Sequence, residues 1–207
     1  MDYIKLNRKA YDMLANEYDK RTHQINDDFW INIYNEIKIK DNSNVLEIGP
    51  GNGRNINILR QFNSNVTAVE LSKNMCHLIK TNFPETQIIN SNILECNFQA
   101  ESFDIIFISA VIHNFPIEDA KKLLIKINNW LKQDGFLIIS TTINDKEDEG
   151  VFEKKDYLGN ICRFRHKYTK ESFENIIFET GFNIFKPHII KEEDRNKLWY
   201  VMACQKT

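Results

Sequence analysis

Glycines at alternate positions, placed between a short apolar segment and an amphipathic one, are the part of this sequence best suited to ligand binding. Residues 45–48 read Val-Leu-Glu-Ile and lead directly into the turn, which consists of Gly49, Pro50, Gly51, Asn52 and Gly53. Glycine has no Cβ, so the backbone can turn tightly and a ligand can approach it closely. The N–H groups at the start of the following helix point at whatever is bound. This combination is typical of a nucleotide pocket.

The spacing of the glycines indicates which nucleotides the turn does not fit. The turn reads G-x-G-x-G, whereas the dinucleotide fingerprint is G-x-G-x-x-G, so the sequence does not predict an NAD site. A glycine turn by itself also occurs as an ordinary connection between a strand and a helix.

A carboxylate at the end of the next apolar segment supports the nucleotide interpretation. Residues 66–70 read Val-Thr-Ala-Val-Glu and end in Glu70. A carboxylate about twenty residues after the glycine turn lies where an α/β nucleotide fold accepts hydrogen bonds from the ribose hydroxyls. The alternative is a solvated glutamate at a strand end.

These segments together resemble the class I S-adenosylmethionine-dependent methyltransferases. Residues 45–55 resemble the first motif of that family, with Glu47 as its acidic residue, and Glu70 matches the ribose-binding acid of the second. Residues 91–93 lie where the family usually has a Gly-Asp-Ala-like turn beside the adenine; here Asn92 replaces the aspartate, and its amide can still accept or donate a hydrogen bond. Later segments that resemble the family are residues 102–113, 131–140, 168–173, 180–182 and 198–204.

The resemblance implies S-adenosylmethionine as the cofactor, bound in a cleft at the carboxyl ends of the strands. The residues expected to contact it are Tyr11, Tyr18, Arg21, Glu47, Gly49, Pro50, Gly51, Asn52, Gly53, Glu70, Leu71, Asn92, Ile93, Ser109 and Ala110. Residues 1–40 would form an amino-terminal helical lid in which the tyrosines cover the methionyl end. A plain amphipathic docking helix is the alternative for the first helix.

Acceptor contacts are expected after the fourth strand and in a polar insertion over residues 144–168. His113 is the candidate general base, because neutral imidazole takes up a proton near pH 7; it could instead satisfy backbone groups at a loop junction. In the insertion, Tyr157, Arg163 and Arg165 combine aromatic rings with cations, which can hold a planar or anionic acceptor. A solvated β-hairpin is the alternative.

The hydrophobic pattern predicts one α/β domain over residues 1–207. Helices are predicted over residues 5–18 and 28–39, and further helices alternate with the strands. The predicted strands are 45–48, 66–70, 86–90, 103–109, 136–143, 183–189 and 198–205. This order predicts a Rossmann-like, seven-stranded, mostly parallel sheet with helices on both faces. The polar loop 191–197 has too few hydrophobic residues to form a crossover helix, so the last strand should be antiparallel.

Composition agrees with an enzyme domain that stays in the cytoplasm. The chain has 207 residues, 42% of them hydrophobic, and no apolar run near eighteen residues long, so we expect neither a membrane span nor secretion. The four cysteines form no C-x-x-C pair, which predicts reduced thiols and no metal site. A formal net charge of -2 gives no general attraction to nucleic acid.

Three functional hypotheses follow. The first is methyl transfer to a small-molecule acceptor, which the net charge and the single modest insertion favour. The second is methylation of RNA, such as a tRNA base, with a basic patch formed by Arg163, Arg165, His166, Lys167 and Lys170. The third is a cofactor-binding partner subunit that has lost its acceptor site.

Overall fold

The structure is a computed structural model that describes residues 2–21, 27–153, 161–193 and 196–207, with the backbone alone at residues 16 and 18–21. Its helices are α1 (Tyr3–Arg21), α2 (Asp27–Glu36), α3 (Arg54–Arg60), α4 (Lys73–Asn82), α5 (Ile117–Trp130) and α6 (Lys170–Glu179). Its strands are β1 (Asn44–Ile48), β2 (Asn65–Glu70), β3 (Gln87–Asn90), β4 (Phe103–Ser109), β5 (Leu131–Ile143), β6 (Asp148–Glu153), β7 (Cys162–Lys167), β8 (Phe182–Glu192) and β9 (Lys197–Lys206).

Seven of the strands form one mixed sheet in the order β3-β2-β1-β4-β5-β9-β8, and β6 pairs with β7 in a separate two-stranded sheet. The pairs β1 with β2, β2 with β3 and β4 with β5 are parallel, whereas β9 is antiparallel to both β5 and β8. The predicted seven-stranded, mostly parallel sheet with an antiparallel last strand is confirmed.

The chain divides into two compact units. The first unit contains Met1–Cys96 and Phe152–Arg163, and the second contains Asn97–Val151 and Phe164–Thr207. Each unit is described by itself below. The prediction of a single domain with an amino-terminal lid over residues 1–40 stays a prediction.

The first unit is built on β1, whose apolar residues Val45, Leu46 and Ile48 are almost completely buried. A buried cluster joins two helices to a strand: it contains Ile56 of α3, Ala68 of β2 and Ile79 of α4. The register pairs Ile48 with Val69, so both strands end at the same edge of the sheet. Side chains at their carboxyl ends are therefore brought together.

The second unit has a core formed by β4, β5 and α5. Residues 105–108 of β4 are buried throughout, as expected for a strand covered on both faces. Helix α5 buries Leu123, Leu124 and Ile127, which lie at helical spacing on one side. A further group of rings joins Tyr168 to Phe173 and Phe173 to Tyr200.

Several predicted boundaries were wrong, and three of them have a clear physical reason. Helix α2 ends at Glu36 and not at residue 39, because Lys38 has φ +53° and leaves the helical conformation. Strand β5 begins at Leu131, five residues earlier than predicted, because Leu131 pairs with Phe103. Strands β8 and β9 extend into the ends of the predicted loop 191–197, since Lys191 pairs with Leu198 and Glu192 with Lys197.

No helix in the described part of the chain combines the length and the apolar character needed to cross a membrane.

Candidate functional site

The glycine turn connects β1 to α3 in the first unit. Its three glycines all have positive φ, with values of 67°, 61° and 82° in chain order. The backbone N–H of Gly49 donates to the carbonyl of Val69 at 2.9 Å, and that of Gly53 donates to the carbonyl of Pro50 at 3.0 Å. These bonds fix the turn to the end of β2, the strand that carries Glu70.

Gly53 shows why the turn requires this residue type. A Cβ at this position would lie 2.6 Å from Cε2 of Phe83, a ring that packs against the buried cluster of the first unit. A φ of +82° is also strained for any residue with a side chain. Both constraints follow from the close approach of α3 to its neighbours.

Glu70 lies at the carboxyl end of β2 and is 7% exposed. Its Oε1 accepts a hydrogen bond from the backbone N–H of Ser72 at 2.8 Å, and the carboxylate also accepts from the backbone N–H groups of Gly51 and Leu71. Burial outweighs these bonds and raises the pKa of Glu70 to about 7. The carboxylate therefore joins the strand end to the glycine turn, as a ribose-binding acid would.

Glu47 is a second buried carboxyl, 2% exposed, on the adjacent strand β1. Burial raises its pKa to about 8; the Asn55 amide opposes this shift, and the charge of Glu70 adds to it. Its Oε2 is buried and accepts no hydrogen bond from any residue that the structure describes. Such an atom is suited to a ligand that donates a hydrogen bond or carries a positive charge.

Tyr34 supports Asn55 from helix α2. The Tyr34 hydroxyl is fully buried and donates to Oδ1 of Asn55. Burial raises the pKa of Tyr34 well above its ordinary value, so the phenol stays protonated and keeps donating. No local sequence pattern pointed to Tyr34, whose partner lies 21 residues away.

Asp12 bonds helix α1 to the start of α4, close in the chain to Glu70. The Oγ of Ser72 donates to Oδ1 of Asp12 at 2.6 Å, and the backbone N–H of Asn74 donates to the same oxygen at 3.2 Å. Ser72 is the N-cap of α4 and follows Glu70 by two residues. Asp12 was missed by sequence reasoning, although it lies next to the predicted Tyr11.

The other residues predicted on the cofactor side are placed as follows. Asn92 is buried and caps a short 3₁₀ turn, because its Oδ1 accepts from the backbone N–H of Leu94 at 3.2 Å. Ile93 is buried in the same turn, and Leu71 is half-buried. Tyr18 and Arg21 belong to α1, and their side chains lie outside the described residues.

In the second unit, strand β4 ends in a strained connection. The hydroxyls of Ser109 and Ser140 lie 2.7 Å apart, and the backbone N–H of Ala110 donates to the carbonyl of Ser140 at 3.1 Å. Ala110 has φ +58°, a conformation that costs a non-glycine residue about 1–2 kcal/mol. Non-glycine residues in this conformation often mark functional sites.

His113 is buried just after this connection, in a short 3₁₀ turn. Its Nδ1 lies 3.0 Å from Oγ1 of Thr141, and that hydroxyl donates to the carbonyl of Thr142. The contact with Thr141 orients the imidazole ring.

The insertion contains strands β6 and β7. In the second unit, Arg165 donates to Oγ1 of Thr142, and His166 is held between two carboxylates, with Nδ1 2.8 Å from Glu149 and Nε2 2.7 Å from Glu147. In the first unit, NH1 of Arg163 donates to the hydroxyl of Tyr11 at 2.6 Å. Tyr157 lies outside the described residues.

The structure thus brings the glycine turn, both carboxylates, Tyr11 and Arg163 into the first unit, and Ser109, Ala110, His113 and Arg165 into the second. Their roles in binding and catalysis stay predictions. Within the described ranges, no group of three His, Cys, Asp or Glu side chains could hold a metal ion.

Known proteins that are similar to this chain include methyltransferases. Residues 46–139 match the family model of a methyltransferase domain. The ribosomal RNA small subunit methyltransferase A of Malacoplasma penetrans is 30% identical over 132 residues, which are 63% of this chain and 48% of that protein. Phosphoethanolamine N-methyltransferase of Plasmodium falciparum is 25% identical over 157 residues, which are 72% of this chain and 57% of that protein. The chain therefore spans about half the length of these relatives.

A solved structure shows the same fold. The 1,6-didemethyltoxoflavin-N1-methyltransferase of Burkholderia thailandensis, crystallised with 1,6-didemethyltoxoflavin and S-adenosylhomocysteine, has a TM-score of 0.78 and 16% sequence identity. The similarity covers 100% of this chain and 89% of that one. At this level of identity it establishes the fold and leaves the acceptor open.

The buried carboxyl of Glu47 generates a prediction about stability and pH. Its pKa is about 8 in the folded protein, against about 4.3 in an unfolded chain. Between these values the unfolded chain releases a proton that the folded protein keeps, so this group lowers stability as the pH rises through the window. Because glutamine does not titrate, the stability of Glu47→Gln relative to the native protein should increase from about pH 4 to about pH 8.

Urea unfolding at a series of pH values measures this difference. Glu153→Gln is the control, because Glu153 is exposed on β6 and its variant should follow the native protein at every pH. Parallel curves for Glu47→Gln and the native protein would show that Glu47 titrates normally.

Proposed function

We propose that this chain, which belongs to the class I S-adenosylmethionine-dependent methyltransferases, transfers a methyl group from S-adenosylmethionine to a small-molecule acceptor. The family predicted from the sequence is confirmed, and it is the family that uses S-adenosylmethionine. One observation carries the proposal for this chain: the buried carboxylate of Glu70 is bonded to the backbone of the glycine turn at the end of β2.

The residues of the first unit fit the cofactor. S-adenosylmethionine has a ribose diol and positively charged sulfonium and ammonium groups. Glu70 would accept hydrogen bonds from the diol, and the buried Oε2 of Glu47 would accept a donor or face a positive charge. The glycine turn leaves the backbone open to close approach. When bound, the cofactor supplies a methyl group on a positively charged sulfur.

The protein contributes alignment and exclusion of water to such a displacement. An in-line attack on a sulfonium methyl disperses charge, so holding the reacting atoms in line accounts for much of the acceleration. Glu70 fixes the ribose end, and Asp12 holds helix α1 against the start of α4 beside it. A base is needed only where the acceptor is a hydroxyl or an ammonium group.

The charge pattern of the insertion favours a small acceptor over RNA. Three of the five basic residues predicted to form a basic patch are paired with carboxylates: His166 with Glu147 and Glu149, Lys167 with Asp148 at 3.1 Å, and Lys170 with Glu174 at 3.7 Å. Cations that face neighbouring carboxylates attract phosphate groups weakly. RNA binding would require these pairs to open.

The relatives are named for different acceptors, so the experiment on the acceptor must also test RNA. One is named as a ribosomal RNA methyltransferase, and another as a phosphoethanolamine methyltransferase. The crystallised neighbour holds a small heterocyclic acceptor. A partner subunit that binds the cofactor without an acceptor is the third possibility, and the same experiment addresses it.

Glu70→Ala should weaken the binding of S-adenosylmethionine and S-adenosylhomocysteine about tenfold to a hundredfold, because the ribose hydroxyls lose a charged acceptor. Isothermal titration calorimetry measures the affinity. Glu85→Ala is the control, since Glu85 is exposed and pairs with Arg60. Unchanged affinity in Glu70→Ala would remove Glu70 from the site, and tight NADH binding by the native protein would contradict the proposed cofactor.

The acceptor class can be tested with methyl-labelled cofactor. The protein is incubated separately with a small-molecule fraction and an RNA fraction from cells, at low and at physiological salt. We expect label in the small molecules, with little dependence on salt. Label in RNA, falling steeply as salt rises, would support the RNA alternative. Label in neither fraction would favour the partner subunit.

We propose alignment, and not proton removal by His113, as the main source of acceleration. His113→Asn should therefore lower turnover by less than about a hundredfold, because the bond to Thr141 can be kept by the asparagine amide. Steady-state kinetics over a range of pH values tests this. A larger loss, accompanied by disappearance of the fall in rate on the acid side, would identify His113 as the general base.

A further inference from the structure

Arg163 is a buried cation with no carboxylate partner among the residues that the structure describes. It lies near the start of β7 with 9% of the residue exposed. Its NH1 donates to the Tyr11 hydroxyl at 2.6 Å, and its Cζ lies 5.9 Å from the centre of the Tyr11 ring. A neutral phenol accepts a hydrogen bond but does not balance a charge. Among the described residues, no carboxylate forms an ion pair with Arg163.

This arrangement is unusual for a buried charge. Buried cations are normally paired with an anion, because removing an uncompensated charge from water is costly. The acid next to Tyr11 in the chain, Asp12, accepts from Ser72 and Asn74 and not from Arg163. Two basic residues later in β7, His166 and Lys167, differ from Arg163 because both face carboxylates.

The segment that carries Arg163 packs against helix α1. Ile161, two residues before Arg163, packs with Ala10 and Leu14 of helix α1 in a buried cluster that Tyr11 also contacts. The start of β7 is therefore fixed on α1, and Arg163 has little freedom to reach bulk water.

Helix α1 also connects this cation to the proposed cofactor residues. Tyr11 bonds to Arg163, and the next residue, Asp12, bonds to Ser72, which in turn donates its backbone N–H to Glu70. All of these residues belong to the first unit. Consecutive residues of one helix thus support the guanidinium and the ribose-binding carboxylate.

We propose that Arg163, supported by Tyr11, binds an anionic group of the methyl acceptor, a carboxylate or a phosphate. This inference rests on the proposed function. A guanidinium presents five N–H donors in a planar fork, of which Tyr11 takes one, and the rest match the oxygens of a carboxylate or phosphate. The anion would supply both the missing negative charge and the missing acceptors. The acceptor would then be a small organic acid or a phosphate ester.

Anion titration of the protein loaded with S-adenosylhomocysteine tests the site. Inorganic phosphate and acetate are titrated in separate calorimetric experiments, at an ionic strength kept constant with sodium chloride. We expect binding to the native protein and at least about a tenfold weaker binding to Arg163→Gln. Arg60→Gln is the matched control, because Arg60 is an exposed arginine paired with Glu85, and it should bind like the native protein.

Arg163→Lys keeps the positive charge and guards against a loss of binding caused by misfolding. It should bind the preferred anion more tightly than Arg163→Gln and less tightly than the native protein, because an ammonium cannot form the planar pair of bonds. Preference for phosphate or for acetate assigns the chemistry of the anion.

Two results would overturn the proposal. One is equal anion binding by Arg163→Gln and the native protein, which includes no binding by either. The other is a loss of S-adenosylhomocysteine affinity greater than about tenfold in Arg163→Gln, which would assign the guanidinium to the carboxylate of the cofactor. Failure of the native protein to bind S-adenosylhomocysteine would contradict the proposed function alone, since the anion titration can also be made without it.

Discussion

Two carboxyl groups, Glu47 and Glu70, are buried at the ends of adjacent parallel strands, and their burial raises the pKa of each by favouring the neutral form. Glu70 is compensated by three backbone N–H groups, one of which comes from the glycine turn. The turn, the end of β2 and the start of α4 consequently depend on one carboxylate. No described cation pairs with either carboxyl, so their burial lowers stability at this place, which is typical of ligand sites.

The amino-terminal helix depends on the same region. Asp12 bonds to Ser72 and Asn74 at the start of α4, and Tyr11 bonds to Arg163 from the insertion. The helix is therefore more than a hydrophobic cover, because polar bonds set its position along the sheet edge of the first unit.

In the second unit, neutral hydroxyl groups hold the residues at the ends of the strands. Ser109, Ser140, Thr141 and Thr142 supply hydroxyls at the ends of β4 and β5, and these hold the backbone of Ala110 and the side chains of His113 and Arg165. Hydroxyls both donate and accept, so they can orient a histidine or an arginine without adding charge.

The sequence by itself determined the sheet, the glycine turn and the acid at the end of β2. These features follow from local patterns, namely apolar periodicity, glycines that permit positive φ, and a fixed distance between turn and acid. Boundaries were less well determined where a partner strand imposed the structure, as in the extension of β5 to Leu131 through its pairing with Phe103.

The tertiary structure alone decided which polar groups have partners. Tyr11 and Arg163 are 152 residues apart in the chain, and Asp12 and Ser72 are 60 residues apart. No local pattern encodes such contacts, because they depend on how separate elements pack. The sequence could show that Arg163 is cationic, but only the tertiary structure shows that it is buried and that none of the described carboxylates pairs with it. Burial changes a common surface residue into a candidate binding group, since a charge removed from water requires a partner.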